Sequence, residues 1–150
     1  MSLALRPARS TDAGAVGAIL SEFIDGTQWM PRVHTRAEVI SHAGTLIDRG
    51  WVTVAETKMG VVAFSAFDGE LVHALYVAEG YQSDGIGSAL HSRLKDANLA
   101  LTLWTFQENH GAQRFYARHG FVEVERTDGT GNDENLPDIK LHWMRESKDA

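Results

Sequence analysis

Apolar positions change period along this chain, from helical spacing in the first third to alternation in the middle. Leu3, Leu5 and Arg6-Pro7 predict a short opening strand, and Ser10-Thr11-Asp12 are residue types that cap helix starts. Val16, Ile19, Leu20 and Phe23 then fall at i, i+3, i+4 and i+7, one apolar stripe of a helix ended by Asp25-Gly26-Thr27. After an irregular link holding Trp29, Met30 and Pro31, Thr35 stands three residues before Glu38 in capping-box spacing. Ile40, Ala43 and Ile47 mark a second helix that stops at Gly50. Residues 51–56, 61–67 and 70–77 read as strands of an antiparallel meander, turning at Lys58-Met59-Gly60 and Asp68-Gly69. A glycine-bearing loop, residues 79–87, leads into a third helix with Ile86, Ala89, Leu90, Leu94 and Ala97 on one face. Residues 100–106 predict another strand, and Ala112, Phe115 and Tyr116 a fourth helix stopped by Gly120. Residues 121–126 and 139–145 are the last strands, joined by a loop rich in Gly, Asn and Asp. The order β-α-α-β-β-β-α-β-α-β-β is a mixed α/β architecture, one domain over 1–150 with 146–150 expected to be a disordered tail.

Composition narrows the chemistry. The chain has 150 residues, 43% of them hydrophobic, enough for one sizeable core. No apolar run has membrane-spanning length and Met1 to Pro7 lack a signal-peptide layout, so the expectation is a cytoplasmic protein. Without cysteine there is no disulfide, thiolate metal site or cysteine nucleophile. The seven histidines show no i, i+4 pair and no carboxylates at ligand spacing, so no metal is expected. A net charge of −6 argues against nucleic acid or an anionic membrane as partner and leans towards cationic small molecules.

The most informative segment is Gln82-Ser83-Asp84-Gly85-Ile86-Gly87, set between the strand ending at Val77 and the third helix. Amides at a helix start lack intrahelical acceptors, and glycine lets that backbone approach an anion while adopting positive φ. Such a turn can hold a pyrophosphate through N–H groups and the helix dipole, with no basic side chain. A dinucleotide fingerprint also fits Gly85-x-Gly87 formally. It is disfavoured, because seven residues (78–84) separate the strand from the glycines and a meander comes before them.

Gln82, Gly85 and Gly87 match the form Gln/Arg-x-x-Gly-x-Gly/Ala, and Asn109-x-x-Ala112-x-x-Phe115-Tyr116-x-x-x-Gly120-Phe121 supplies a second motif downstream. With these two motifs the chain resembles the GNAT acetyltransferase superfamily, and the element order agrees over nearly the whole length. The resemblance implies a central, mostly antiparallel sheet of about seven strands flanked by four helices and splayed between the fourth and fifth strands. It further implies that acetyl-CoA lies in the splay like an added strand. Leu75, Tyr76 and Val77 would contact its pantetheine arm, and Gln82, Ser83, Asp84, Gly85, Ile86, Gly87 and Ser88 its pyrophosphate. Asn109 would hydrogen-bond it, the Tyr116 hydroxyl would sit near its sulfur, and the Val77 N–H would polarise the thioester carbonyl. Asp84 departs from the basic or neutral residue frequent among relatives, and a carboxylate beside a diphosphate is repulsive.

An alkylamine of pKa ~10.4 is about one part in a thousand neutral at pH 7, so acetyl transfer needs a base worth roughly 4 to 5 kcal/mol. His73, on the strand that resembles the family's catalytic strand, is the candidate base. Alternation sets it on the face of Leu71, Leu75 and Val77, so it reads equally as a hydrogen-bonded core histidine. Tyr116 is the candidate acid for the departing thiolate, through a phenol of lowered pKa. Trp29, Met30 and His34 are the candidate acceptor residues. Asp128, Asp133, Glu134 and Asp138 make a loop that attracts a cationic amine or is simply solvated. The function this implies is direct transfer from acetyl-CoA to a primary amine of a small molecule or peptide, with a homodimer as a family expectation. The alternatives are a coenzyme A sensor without turnover, and an acyltransferase using another acyl chain or an alcohol.

Overall fold

The computed structural model describes residues 2–146. The chain runs β1 (Ala4–Pro7), a 3₁₀ turn (Ser10–Asp12), α1 (Ala13–Gly26), α2 (Arg36–Asp48), β2 (Val52–Thr57), β3 (Gly60–Phe67) and β4 (Leu71–Val77). It continues with α3 (Ile86–Ala97), β5 (Ala100–Phe106), α4 (His110–Arg118), β6 (Val122–Thr127) and β7 (Asp138–Met144). One seven-stranded sheet results, in the order β1-β2-β3-β4-β5-β7-β6. All neighbours pair antiparallel except β4 and β5, which run parallel. Of the tail expected to be disordered, residues 147–150 lie outside the described residues, and Glu146 is exposed.

Helices cover both faces. α1 and α2 bury Val16, Ile19, Ala43, Leu46 and Ile47 against Val52, Val54, Phe64 and Ala66 of the sheet. On the opposite face α3 sets Ile86 and Leu90 against Ala55, Val62 and Ala63, while Tyr116 of α4 joins Val72, Leu101, Leu103, Ile139 and Leu141. The capping box at α2 forms as its spacing predicts: Glu38 N–H donates to Thr35 Oγ1 (3.1 Å) and Thr35 N–H to Glu38 Oε1 (2.8 Å). The apolar stripe of α2 differs from the sequence pattern. Val39, Ala43, Leu46 and Ile47 are buried, whereas Ile40 is 40% exposed. The cause is a close crossing at Gly17, where a Cβ would stand 2.7 Å from Ile40 Cγ1 and 2.9 Å from its Cα. Without that Cβ the two backbones close, and the Ile40 side chain lies at the rim.

Strand β4 carries the irregularities that shape the site. Ala66 pairs Ala74 but Phe67 pairs Val72, so His73 is an extra residue, a bulge. The bulge cancels one step of alternation: Val72 and, past it, Leu75 and Val77 all pack towards the α3–α4 side. His73 is thereby thrown out of register, 36% exposed, which corrects the reading of a core histidine sharing a face with Leu75 and Val77. On its other side β4 meets β5 only at Leu71↔Thr102 and Val72↔Leu103. Beyond these two pairs the strands part. The bond from Ala78 N–H to Val62 C=O (2.8 Å) makes Ala63↔Val77 a pair without mutual hydrogen bonds. The N–H and C=O of Val77, and by the same alternation those of Leu75, therefore point away from β3 and into the gap.

Candidate functional site

The gap opens into a groove of about 1000 Å³ walled by α1, the end of β4, the loop after it and α4. Its floor is built from main chain. Ser83 (φ 71°) and Gly85 (φ 80°) adopt left-handed conformations that turn the chain into α3. The first intrahelical bond is Ala89 N–H to Gly85 C=O, 3.0 Å. Among the described residues, none of the main-chain N–H groups from Gln82 to Ser88 donates to a protein acceptor. A Cβ on Gly85 would meet nothing within 4 Å, and one on Gly87 would only reach Val77 (3.6 Å), Leu75 (3.7 Å) and Phe115 (3.9 Å). A run of free donors at a helix start, beside open space, is the arrangement a diphosphate requires.

Leu75, Tyr76, Val77, Gln82, Ser83, Gly85, Gly87, Ser88, Asn109 and Tyr116, scattered over 42 positions of sequence from 75 to 116, all line this one groove. The Gln82 side-chain amide donates to Val77 C=O (3.3 Å) and so braces the loop on β4. Asn109 is the cap of α4: its Oδ1 accepts from Ala112 N–H (3.0 Å), which leaves its amide NH2 available to a ligand. Two loop residues do not line the groove. Asp84 is exposed, which relieves the repulsion expected beside a diphosphate, and the Ile86 side chain is buried in the core at 2% exposure.

The catalytic expectations are revised. His73 lies outside the groove: Nε2 is 2.8 Å from Asp68 Oδ2 and its ring stacks on Trp51 at 5.2 Å. That carboxylate also accepts from Glu70 and Leu71 N–H, and with His73 these bonds hold Asp68 down at about 2. The pair thus locks the β3–β4 turn. Tyr116 lines the groove, but burial raises its phenol above the usual value, with Tyr76 nearby adding to the effect, in place of the lowering expected.

Several lining residues escaped the sequence reading. Arg114 and Arg118 line the groove, and their i, i+4 spacing on α4 was a usable signal. Glu22, Phe23 and Glu79 also line it, with Glu22 Oε1 accepting from Glu79 N–H at 2.7 Å. No local signal marks Glu22, because it reaches the groove only through the packing of α1. Beneath α4, His91 is fully buried with both ring nitrogens unpartnered, edge-on to Phe115, Tyr116 and His119. Burial holds its pKa down at about 4, with His119 and Lys95 contributing.

Around the residues expected to meet an acceptor, long-range packing gathers side chains the sequence could name only singly. Trp29 meets Phe23 (6.5 Å) and Phe106 (5.9 Å), and Phe23 meets Tyr76 (4.8 Å). His34 Nε2 approaches Asp133 Oδ2 at 3.6 Å. Burial, with Glu134 nearby, raises the Tyr76 phenol to about 12. Met30 is half-buried, its N–H bonded to Thr27 C=O (3.0 Å), and none of Trp29, Met30 and His34 lines the groove.

A parallel strand pair that opens after two residues, with free helix-start amides at its mouth, forms a slot between splayed strands that suits an extended ligand with an anionic end. The family model described as acetyltransferase (GNAT) domain matches residues 48–123, just over half of the chain, and the chain belongs to that family. The match takes in the loop and α4 but not the 29–34 link or the β6–β7 loop. No curated protein matches the chain at a significant level. Among solved structures, apo YjaB from Escherichia coli is similar at TM-score 0.79 and 21% identity, covering 95% of this chain and 97% of that one. The yncA protein of Salmonella typhimurium, solved with its cofactor acetyl-CoA, has TM-score 0.75 and 19% identity over 100% and 98% of the two chains. A GCN5-related N-acetyltransferase from Rhodopseudomonas palustris has TM-score 0.76 and 23% identity over 97% of each. At these identities the likeness concerns the fold. Among the described residues no helix is long and apolar enough to cross a membrane.

Proposed function

We propose that the protein is an acetyl-CoA-dependent N-acetyltransferase acting on a primary amine of a small molecule or peptide. The observation that carries this reading is the row of unpartnered amides from Gln82 to Ser88, beside the β4 edge where Val77 N–H faces the gap and Val77 C=O takes the Gln82 side-chain amide. Such a row suits a diphosphate followed by an extended pantetheine, and Arg114 and Arg118 add charge-assisted contacts. The thioester supplies the activated acetyl group.

The chain's own residues then have defined tasks. Val77 N–H, pointing into the gap, steadies the negative charge that grows on the carbonyl oxygen. Glu22 and Glu79 are the carboxylates on the groove, so they replace His73 as the groups that draw in an ammonium and take its proton through water. As the amine nitrogen bonds to the carbonyl carbon, the carbon–sulfur bond breaks, the sulfur leaves with the electron pair, and the second proton shed by the nitrogen passes through water to that thiolate. Tyr116 stays neutral and offers that sulfur a hydrogen bond. Outright proton transfer from an ordinary phenol to a thiolate of pKa ~8.5 is already uphill by about 2 kcal/mol, and burial makes it worse. Holding both reactants in one groove supplies the rest of the acceleration.

Thiol release from acetyl-CoA with a panel of primary amines tests the proposal. Amine-dependent release with stoichiometric N-acetyl product is expected. Tight coenzyme A binding with no release across the panel would instead identify a sensor.

A further inference from the structure

A second cavity, about 670 Å³, lies beside Phe106 and is not accounted for by the cofactor groove. Trp104 and Phe106 of β5 supply its flat apolar walls, with Thr127, Thr130 and Asn132 along the rim and Asp138 as its carboxylate. These walls are built rather than loose. Thr127 Oγ1 donates to Asp138 Oδ1, and Asn132 Nδ2 donates to Asp138 Oδ2 (3.2 Å) and to Leu136 C=O (2.8 Å). Leu136 N–H returns a bond to Asn132 Oδ1 (3.2 Å). Gly129 (φ 87°) closes the neck of the loop so tightly that a Cβ there would stand 2.4 Å from the Leu136 carbonyl.

Aromatic contacts connect the cavity to the groove. Phe106 touches Trp29, Trp29 touches Phe23, and Phe23 touches Tyr76, with Phe23 and Tyr76 already lining the groove. The groove mixes charges, Glu22 and Glu79 with Arg114 and Arg118, whereas the charged residue lining the cavity is Asp138. Lys140 Nζ stands 5.8 Å from the centre of the Trp104 ring, so that ring is already used as a seat for an ammonium.

Resting on the acetyl-transfer reading above, we infer that this cavity holds the far end of the acceptor, and that the acceptor is an elongated amine with a second cationic nitrogen beyond an apolar spacer. The spacer runs along Trp29 and Phe106. The second cation settles between Trp104 and Asp138, a carboxylate beside an aromatic face being a strong seat for an ammonium.

Three probes of one chain length separate the outcomes: cadaverine, n-pentylamine and aminocaproate, with a positive, neutral and negative far end. Each is titrated into the protein while the four indole N–H signals are followed by NMR, with Trp104 assigned through Trp104→Phe. Cadaverine should move the Trp104 signal and bind at least about fivefold more tightly than n-pentylamine, with aminocaproate weakest. Trp51 and Trp143 should stay still. Lys140→Met should tighten cadaverine about threefold by removing the competing ammonium, and Asp138→Asn should erase its advantage over n-pentylamine. Aminocaproate binding as well as cadaverine, or an unmoved Trp104 signal, would overturn the inference. Coenzyme A is titrated in parallel on the amides of Gln82 to Ser88. If those shift while Trp104 ignores cadaverine, only the acceptor inference fails. If cadaverine binds but coenzyme A does not, the cation site stands and acetyl transfer falls, taking the acceptor role with it.

Discussion

The loop at the start of α3 and the aromatic cluster around Trp29 offer a ligand different kinds of contact. In the loop, seven consecutive residues from Gln82 to Ser88 present main-chain amides, while the Gln82 side chain braces the turn and Ile86 anchors it in the core. Around Trp29, the residues Phe23, Phe106, Asp133 and Asp138 and Trp29 itself come from five separate elements and loops and offer side chains. A backbone site needs only a turn, a helix start and glycines at the right places. A side-chain site needs the whole fold to be correct first. The two regions meet where Phe23 packs on Tyr76 (4.8 Å) and Glu22 Oε1 accepts from Glu79 N–H (2.7 Å), so a changed acceptor has to preserve these contacts.

The largest effect expected from breaking this contrast is at Gly87. Leucine there would extend from a Cβ already 3.6 Å from Val77 and 3.7 Å from Leu75, filling the space where the ligand must lie against backbone. Gly87→Leu should weaken coenzyme A about 100-fold, near 3 kcal/mol, as read by calorimetry. Its melting temperature should hold or rise, because leucine favours helix over glycine. A loss of fold would mean that Gly87 serves packing instead.

Comparable in size is the pH response of the support beneath α4. His91 is held neutral in the folded protein down to about 4, whereas unfolded histidine titrates near 6.5. The unfolded chain therefore binds the extra proton first. Stability is full above pH 6.5 and falls as pH drops towards 4, by about 3 kcal/mol in all. Denaturant melts of wild type and His91→Leu across this range should diverge in favour of the variant as pH falls, since leucine takes up no proton and leaves no buried nitrogen unpaired. Parallel pH curves would show that His91 is not responsible.

Smaller effects sharpen the assignment of roles. Tyr116→Phe should lower kcat about tenfold with little change in KM, the signature of a hydrogen bond that matters as the sulfur leaves. A change in KM alone would make Tyr116 a binding residue. His73→Gln should alter kcat/KM by less than about twofold, because the ring lies outside the groove against Trp51 and Asp68. A hundredfold loss would return the base to β4.

These same residues explain what could be read without coordinates. The capping box at Thr35, the glycine turn at Gly85 and the α4 motif at Asn109 are local grammars in which a few neighbours decide the outcome. The order of elements followed from periodicity for the same reason. His73 was misread because a bulge depends on the register with β3, which alternation along β4 cannot reveal. The tyrosine's raised pKa follows from burial by β5, β7 and α3, a product of assembly. Glu22 and Asp138 reach their places only once α1 packs on the sheet and the β6–β7 loop closes.

The central claim is that backbone amides hold a diphosphate at the start of α3. Calorimetry with coenzyme A and with pantetheine, which shares the arm but lacks the diphosphate, tests it directly. The account predicts that coenzyme A binds and that pantetheine is at least 100-fold weaker, the difference shrinking as salt is raised. Equal affinities for the two ligands, or no heat with coenzyme A, would contradict it.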